Sequence, residues 1–331
     1  MAGHLMGRRV AGKLIAIIAG IAIAAAAAQP KAHAQEYPGH PISLVTGLVA
    51  GSITDVIARY LANKMGQLSG QTVLVINKPG ANGIIAATEV ARAKPDGYTL
   101  LWAASSSYAS NQLMYKNMPY DPTKDLVLIS TATQFGFMIL VNDDDPARTL
   151  TELTAELKQK GGGMYGASST NMLAAAEMYK FSAGLDTQQV LYKSTADSVR
   201  DLASKQIDFA VVDAAFALAQ AKANHVRSLA ITLPHRSALA PEVPTMEEAG
   251  LKDYEVSGWM ALAAPVATPA PILGKVQAWM EQIMAMPETT KFILDLGFEP
   301  FYVPPAELKT FQDTQIEKWR RLIEISHVTI Q

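Results

Sequence analysis

Apolar positions along the chain follow two alternating patterns. Short runs rich in β-branched residues, such as residues 42–46, are typical of buried strands. Longer segments with apolar residues three and four positions apart, such as residues 54–68, are typical of helices. The two patterns alternate through most of the chain and end in a long helical pattern at residues 305–326. This alternation favours α/β lobes with mostly parallel sheets.

The length of the predicted globular part favours two lobes over one. Removing a leader of 34 residues from the 331 leaves 297, which is more than one core comfortably accommodates. Strands predicted at residues 126–131 and 138–142 precede an acidic break at residues 143–146, where we expect the chain to leave the first lobe. We expect the chain to return to the first lobe at residues 256–262.

The N-terminus has the three-part pattern of a secretory signal peptide. Arg8-Arg9 and Lys13 precede an apolar run at residues 14–28, and Ala32-His33-Ala34 gives a small-x-small cleavage site. We therefore predict a cleavable signal peptide at residues 1–34 and an exported mature protein. An uncleaved membrane anchor is the alternative, but the run is shorter than the roughly 20 residues that a span needs.

Composition excludes several classes of protein. There is no cysteine, so the fold has neither a disulfide nor a thiolate metal site. The leader holds four of the 28 Lys and Arg and none of the 30 Asp and Glu, so the mature chain keeps 24 and 30, a net charge of −6. An acidic protein is a poor nucleic-acid binder, and we expect no nucleic-acid partner. It can still bind an anion, because local N–H groups and dipoles decide that.

The first candidate binding loop is residues 47–55, between a predicted strand and a predicted helix. The free N–H groups and positive dipole end of a helix start suit a carboxylate or phosphate. Ser52 and Asp55 fit a capping box, and we expect a structural role for Asp55, because an anion would repel an anionic ligand. Ser52 can cap the helix and also serve a ligand, since both roles use the same helix end. The candidate ligand contacts in this loop are Leu48, Val49, Gly51, Ser52, Ile53 and Thr54.

Two further candidate loops connect a predicted strand to a predicted helix, the place where α/β proteins bind ligands. In residues 104–111, small hydroxyls and the Tyr108 ring could contact a ligand; the alternative is an ordinary polar loop. In residues 166–171, hydroxyl and amide groups suit a second carboxylate. The candidates are Ser105, Ser106 and Tyr108 in the former loop and Gly166, Ser168, Ser169, Thr170 and Asn171 in the latter.

The sequence after the leader contains no catalytic or cofactor-binding constellation. His40, His225, His235 and His327 are scattered, without the spacing of a metal site. There is no P-loop, no complete dinucleotide fingerprint and no G-x-S-x-G nucleophile elbow. We therefore expect no enzyme activity, no cofactor and no metal. A periplasmic hydrolase that uses Ser168 as its nucleophile is a poor alternative.

Several short motifs occur in a fixed order along most of the chain. They are Asn77-Lys78-Pro79-Gly80-Ala81-Asn82-Gly83, Pro95-Asp96-Gly97-Tyr98-Thr99-Leu100, Tyr120-Asp121-Pro122-Thr123-Lys124-Asp125, Pro241-Glu242-Val243-Pro244-Thr245 before Glu248-Ala249-Gly250, Ala264-Pro265 before Thr268-Pro269, and Leu296-Gly297. In this order, over about residues 37–319, the chain resembles the extracytoplasmic solute-binding proteins of tripartite tricarboxylate transporters, the Bug-type receptors.

The resemblance implies a two-lobed periplasmic-binding-protein fold of the Venus flytrap, type II-like kind, with two mixed, mostly parallel sheets and a ligand cleft between the lobes. Residues 36–141 and 260–331, including the final helix, would form the first lobe, and residues 142–259 the second. The implied function is to capture a small carboxylate in the periplasm, unchanged, and deliver it to membrane permease subunits. We expect a monomer. A receptor for a membrane sensor kinase would share this fold and ligand site, and it stays an alternative.

Two further candidate residues rest on the resemblance. An Asp that matches Asp213 lies at the cleft in the family. In this chain it follows a predicted strand, and it could accept a hydrogen bond from a ligand or cap the next helix. Trp259 lies at the return crossing between the lobes, where it could pack in the hinge or cover an apolar ligand.

The first loop departs from the family pattern of two prolines and three glycines before Thr-Asp. Here Val49-Ala50-Gly51-Ser52-Ile53 precedes Thr54-Asp55, so only Gly51 remains of the glycine run. The added side chains restrict backbone approach, so direct and water-bridged binding of the carboxylate both stay open. The apolar bulk favours a dicarboxylate with an aromatic body, such as terephthalate or phthalate. Citrate-like, aliphatic dicarboxylate, amino-acid and nicotinate-type ligands stay open too.

Overall fold

The computed structural model describes residues 37–221 and 226–326, and the predicted signal peptide lies outside the described residues. The strands are β1 Ile42–Thr46, β2 Val73–Asn77, β3 Thr99–Ala104, β4 Leu126–Asn142, β5 Gly163–Ala167, β6 Thr187–Leu191, β7 Phe209–Asp213, β8 Val226–Ile231, β9 Ser257–Pro265 and β10 Glu299–Pro300. The helices are α1 Ile53–Ser69, α2 Ile84–Ala91, α3 Asn111–Met114, α4 Leu150–Lys160, α5 Thr170–Ala183, α6 Thr195–Ala203, α7 Ala214–Ala221, α8 Ala270–Met284, α9 Pro287–Asp295 and α10 Leu308–Ser326. None of these described helices has the length and apolar character that a membrane crossing requires.

The first sheet is built around the parallel strands near the start of the described chain. Its order is β2-β1-β3-β9-β4, and β10 pairs with β4. β1 is parallel to β2 and β3, whereas β9 is antiparallel to β3 and β4. Ile42, Leu44 and Val45 of β1 are all buried, as expected for an apolar strand covered on both faces. Because β1 and β3 are parallel neighbours, the loops that follow them emerge side by side.

The second sheet repeats this arrangement with later strands. Its order is β4-β7-β5-β6, and β8 also pairs with β4. β5 is parallel to β6 and β7, whereas β4 is antiparallel to β7 and β8. The loops after β5 and β7 therefore also emerge at one edge. We call each sheet, with the helices packed on it, a lobe.

Strand β4 belongs to both sheets. The sequence predicts two strands here, at residues 126–131 and 138–142, but the structure has one continuous strand of 17 residues. Gly136 pairs with Ser257 of β9, and the next residue, Phe137, pairs with Asp213 of β7. The lobe limits after residues 141 and 259 stay a prediction, and this pairing favours limits near residues 136 and 257. From His40 onward the described residues form one compact unit.

The last helix, α10, contacts both lobes. Leu308, at its start, lies in the apolar core of the first lobe. Ile316, Trp319 and Leu322, farther along, lie in the core that includes Tyr179 of α5, in the second lobe. The prediction that this helix packs on the first lobe is therefore wrong for its second half. An apolar stripe shows that a helix is packed, but it does not name the partner.

Candidate functional site

The loop after β1 ends in a capped helix start. The backbone of Ser52 is extended, and its Oγ accepts a hydrogen bond from the N–H of Asp55 at 3.3 Å, as predicted. Leu48, Val49 and Ile53 around this start are 43%, 60% and 39% exposed. The first helix start therefore combines backbone donors with an apolar surface open to solvent.

Asp55 stabilises this loop through hydrogen bonds made inside the protein. It is buried, and its Oδ2 accepts hydrogen bonds from Gly51 N and Arg59 Nε, both at 2.9 Å. Its Oδ1 accepts one from Asn77 Nδ2 at 2.8 Å. The Arg59 guanidinium, together with these N–H donors and against the effect of burial, lowers the pKa of Asp55 to about 2. Both carboxylate oxygens are engaged within the protein, which fits the expected structural role, although the carboxylate reaches Gly51 N rather than Ser52 N.

The motif at residues 77–83 supports the first loop, a role that the sequence analysis did not give it. Asn77 Nδ2 also donates to Leu48 O at 3.0 Å. A Cβ built on Gly47 would lie 2.7 Å from Gly83 Cα, and one built on Gly83 would lie 2.8 Å from Ser107 Oγ. The loops after β1 and β3 and the turn at residue 83 thus meet where a side chain would not fit. In the sequence, the indication of this contact is the combination of Asn and Gly residues in the motif.

The predicted ligand contacts in the loop after β3 lie partly at the surface and partly in the core. Ser106 is partly exposed, while Ser105 is buried with no hydrogen-bond partner for its Oγ among the described residues. The Tyr108 ring is fully buried, and its hydroxyl lies 3.2 Å from Leu101 O and 2.9 Å from Ala261 O. Burial raises the pKa of Tyr108 well above its usual range. A ring enclosed in this way does not reach a ligand, so the structure argues against the predicted contact.

Trp259 is also a core residue. It is 1% exposed, its ring stacks on Tyr108 with centroids 5.7 Å apart, and its Nε1 donates to Gln315 Oε1 at 3.2 Å. Of the two roles open from the sequence, this environment favours hinge packing over a cover for the ligand. Neither Tyr108 nor Trp259 could be assigned from the sequence, because burial depends on distant partners.

The loop after β5 forms the second capped helix start. Ser169 Oγ accepts a hydrogen bond from Met172 N at 3.3 Å, at the start of α5. Ser168 Oγ lies 2.8 Å from Thr195 Oγ1, a residue absent from the predicted set. Thr170 and Asn171 are partly exposed, and their side chains make no hydrogen bond to the described residues. Gly166, in β5, is buried.

Asp213 lies at the end of β7 and caps the next helix. Its Oδ1 accepts a hydrogen bond from Phe216 N at 2.8 Å, as the capping alternative predicts. Burial, partly offset by this N–H donor, raises the pKa of Asp213 above its usual range. A partly buried carboxyl with no cationic partner among the described residues can still interact with a ligand donor.

The candidate loops of the two lobes do not touch one another through hydrogen bonds. Within residues 37–221 and 226–326, no such bond joins residues 47–54 to residues 166–171. In the same part of the chain, no group of three metal-binding side chains is found. The side-chain partners of Ser168 are the Thr195 hydroxyl and the Met172 sulfur, neither of which is a general base. The arrangement offers donors for binding at two separate helix starts.

Comparison with known proteins agrees with this arrangement. A family model described as a tripartite tricarboxylate transporter family receptor matches residues 57–327. The chain belongs to this receptor family. A UPF0065 protein of Bordetella pertussis is 31% identical over 317 residues, which cover 94% of this chain and 96% of that protein.

Two solved structures from Rhodopseudomonas palustris are similar to this receptor along nearly their whole length. Rpa4515 with adipate has a TM-score of 0.75 and 26% identity, covering 89% of this chain and 99% of that chain. MatC with bound malate has a TM-score of 0.69 and 25% identity, covering 87% and 100%. The α/β fold of a two-lobed periplasmic binding protein is thereby confirmed. Receptors of this family are carboxylate-binding proteins that work with a transporter, not enzymes.

We expect Asp55→Asn to lower the free energy of unfolding by about 2 kcal/mol at neutral pH, because charged hydrogen bonds inside the protein are lost. The folded-state pKa of Asp55, about 2, lies below its ordinary value of 3.8. Its ionised form therefore stabilises the fold above about pH 4, and this contribution is lost as the pH falls towards about 2. Urea unfolding of both proteins should show a smaller difference near pH 3 than at pH 7.

The matched control for this prediction is Asp313→Asn. Asp313 is exposed and pairs with Lys309 one turn away in α10. Such surface pairs contribute about 0.5 kcal/mol or less, so this variant should unfold nearly as the unmodified protein does. If Asp55→Asn showed the same loss at both pH values, the ionised carboxylate would not be the group that stabilises the loop.

Proposed function

We propose that this receptor captures a small dicarboxylate in the periplasm and delivers it to the permease subunits of a tripartite tricarboxylate transporter. The ligand would lie between the lobes, with one carboxylate at residues 52–54 and the other at residues 168–171. The receptor would act as a monomer after removal of residues 1–34, and it would release the ligand chemically unchanged.

The observation that carries this proposal is the matched construction of the two lobes. In each, a buried strand ends, a serine caps the next helix, and the first N–H groups of that helix have no partner within the helix. Such N–H groups, together with the positive dipole end, stabilise an anion. Two such helix starts suit a ligand with two carboxylates. Adipate and malate, bound by the two similar proteins, are both of this class.

The exposed apolar side chains of the first loop support an apolar ligand body. Leu48, Val49 and Ile53 lie beside the capped helix start, where an aromatic ring would remove part of their surface from water. This favours an aromatic dicarboxylate such as terephthalate or phthalate over a small hydroxy acid. Thr170 and Asn171, whose side chains have no hydrogen-bond partner in the described structure, would complete the second carboxylate seat.

Two other functions are compatible with parts of this site. A receptor that signals to a membrane sensor kinase would bind the same ligand, and capture of the permease subunits by the purified receptor would distinguish transport from signalling. A hydrolase would need a base beside Ser168, whose side-chain oxygen instead lies next to Thr195 Oγ1. Solute binding therefore accounts for the site better than hydrolysis does.

A thermal-shift screen of residues 35–331 tests the proposed ligand class. The panel holds terephthalate, phthalate, adipate, malate and citrate, with benzoate and dimethyl terephthalate as matched controls that lack one or both charges. A ligand at 100 times its Kd should add about 2.7 kcal/mol to the free energy of unfolding. We expect an aromatic dicarboxylate to raise the melting temperature, the controls to have no comparable effect, and the ligand to be recovered unchanged. A response to none of the dicarboxylates would contradict the proposal.

We expect Thr170→Val to weaken binding of the dicarboxylate about tenfold, because a hydrogen bond to a charged group is lost while the side-chain shape is kept. The melting temperature without ligand should change little, since the Thr170 hydroxyl has no partner in the described protein. Isothermal titration calorimetry measures the affinity. The control is Thr290→Val on the exposed side of α9, which should bind as the unmodified protein does. Equal affinities for the two variants would place the second carboxylate elsewhere.

Asp213→Asn tests whether this carboxyl faces the ligand. Because burial raises the pKa of Asp213, the group gains a proton more readily than an ordinary Asp as the pH falls below neutral. The protonated form can donate to a ligand carboxylate, and the ionised form repels it. Affinity should therefore rise as the pH falls from neutral towards the acidic range in the unmodified protein and change less in the variant. Identical pH profiles, measured by calorimetry, would leave Asp213 only its capping role.

A further inference from the structure

A glycine of the first lobe touches the start of helix α7 in the second lobe. Gly297 follows α9, with φ at +79°. A Cβ built on it would lie 2.4 Å from Ala215 Cβ and 3.0 Å from Ala215 Cα. Real Cβ contacts are not this short, so even an alanine would force the two segments apart. The Leu296-Gly297 pattern was noted in the sequence without a role, and this contact between lobes gives it one.

The two residues after Gly297 continue the same contact. The Phe298 ring meets the Phe135 ring of β4 edge to face, with centroids 4.9 Å apart. Glu299 Oε2 lies 2.7 Å from His235 Nε2, and Glu299 Oε1 accepts a hydrogen bond from Ala238 N at 3.3 Å. Residues 297–299 are therefore fixed both to the strand that joins the lobes and to a loop of the second lobe.

The Gly297 contact lies next to a candidate ligand residue. Ala215 is the second residue of α7, and Asp213, directly before the helix, accepts the N–H of Phe216. We propose that Gly297 is a positioning residue for ligand binding. By allowing the turn to sit directly against Ala215, it fixes the start of α7, and with it the Asp213 carboxyl, relative to the first lobe. The expected effect on affinity rests on the proposed ligand site, whereas the contact between Gly297 and Ala215 does not.

Gly161 provides a matched control for a substitution at Gly297. Each glycine ends a helix with positive φ, +75° at Gly161, and each donates its N–H to the carbonyl three residues earlier. A Cβ built on Gly161 has no heavy atom within 4 Å. An alanine at either position meets the same backbone strain, but only Gly297→Ala meets the other lobe.

The experiment compares Gly297→Ala, Gly161→Ala, Ala215→Gly and the double variant Gly297→Ala/Ala215→Gly, with terephthalate, the expected ligand of the screen, as the probe. We expect Gly297→Ala to weaken binding about tenfold and Gly161→Ala less than about twofold. Removing the Ala215 methyl should restore affinity in the double variant to within about threefold of Ala215→Gly alone. If the two single glycine variants bind equally, or if Ala215→Gly gives no rescue, the proposal is overturned.

A second measurement tests the contact without any ligand. Amide hydrogen exchange of α7 should become faster in Gly297→Ala, return towards normal in the double variant, and stay unchanged in Gly161→Ala. If Gly297→Ala does not fold, Ala215→Val crowds the same contact from the other side and should produce the same faster exchange. Unchanged exchange in α7 would overturn the contact, whatever the ligand. A response in exchange with no ligand in the screen would instead contradict the proposed function.

Discussion

Two neighbouring strands carry the chain between the lobes, and their hydrogen bonds constrain everything built around them. β4 and β9 run antiparallel from the first sheet to the crossing, where Gln134 pairs with Trp259 and Gly136 with Ser257. Every strand pair that involves neither of them is parallel in the described sheets. In each lobe, the loops after the parallel strands therefore emerge at one edge of the sheet. Because β4 belongs to both sheets, it connects the two lobes.

The charged groups around the first loop are paired with one another. Arg59 is committed to Asp55, and Asp55 in turn holds Gly51 N and Asn77. The charges of Arg59 and Asp55 thus neutralise one another, and the proposed carboxylate seat at the helix start would use neutral N–H donors. A negative mature chain is consistent with this arrangement, because local dipoles rather than net charge act at short range. The same Ser52 that caps the helix fixes where those donors point.

Local features of this site were predictable from the sequence, and distant ones were not. Contacts within four positions along the chain form the cap at Ser52, the cap at Asp213 and the bonds of Asp55 to Gly51 and Arg59. The bond of Asp55 to Asn77 joins distant positions, and the sequence did not indicate it. The burial of Tyr108 depends on Ala261, far along the chain, and that of Trp259 depends on Gln315 in the last helix. The family motifs nevertheless indicated the fold, because a resemblance to a family implies its whole fold even where the individual distant contacts cannot be derived.

The contacts between the lobes bear on how the receptor would respond to a ligand. In the described structure, the contacts between lobes that we identify are Gly297 against Ala215, Glu299 with His235 and Ala238, and α10 along both cores. Between the candidate loops themselves, residues 47–54 and 166–171 share no hydrogen bond in the described structure. A dicarboxylate that binds both helix starts would add a connection where the described protein has none. It would stabilise the conformation in which both starts reach it, and the existing contacts between the lobes would limit which conformations those are.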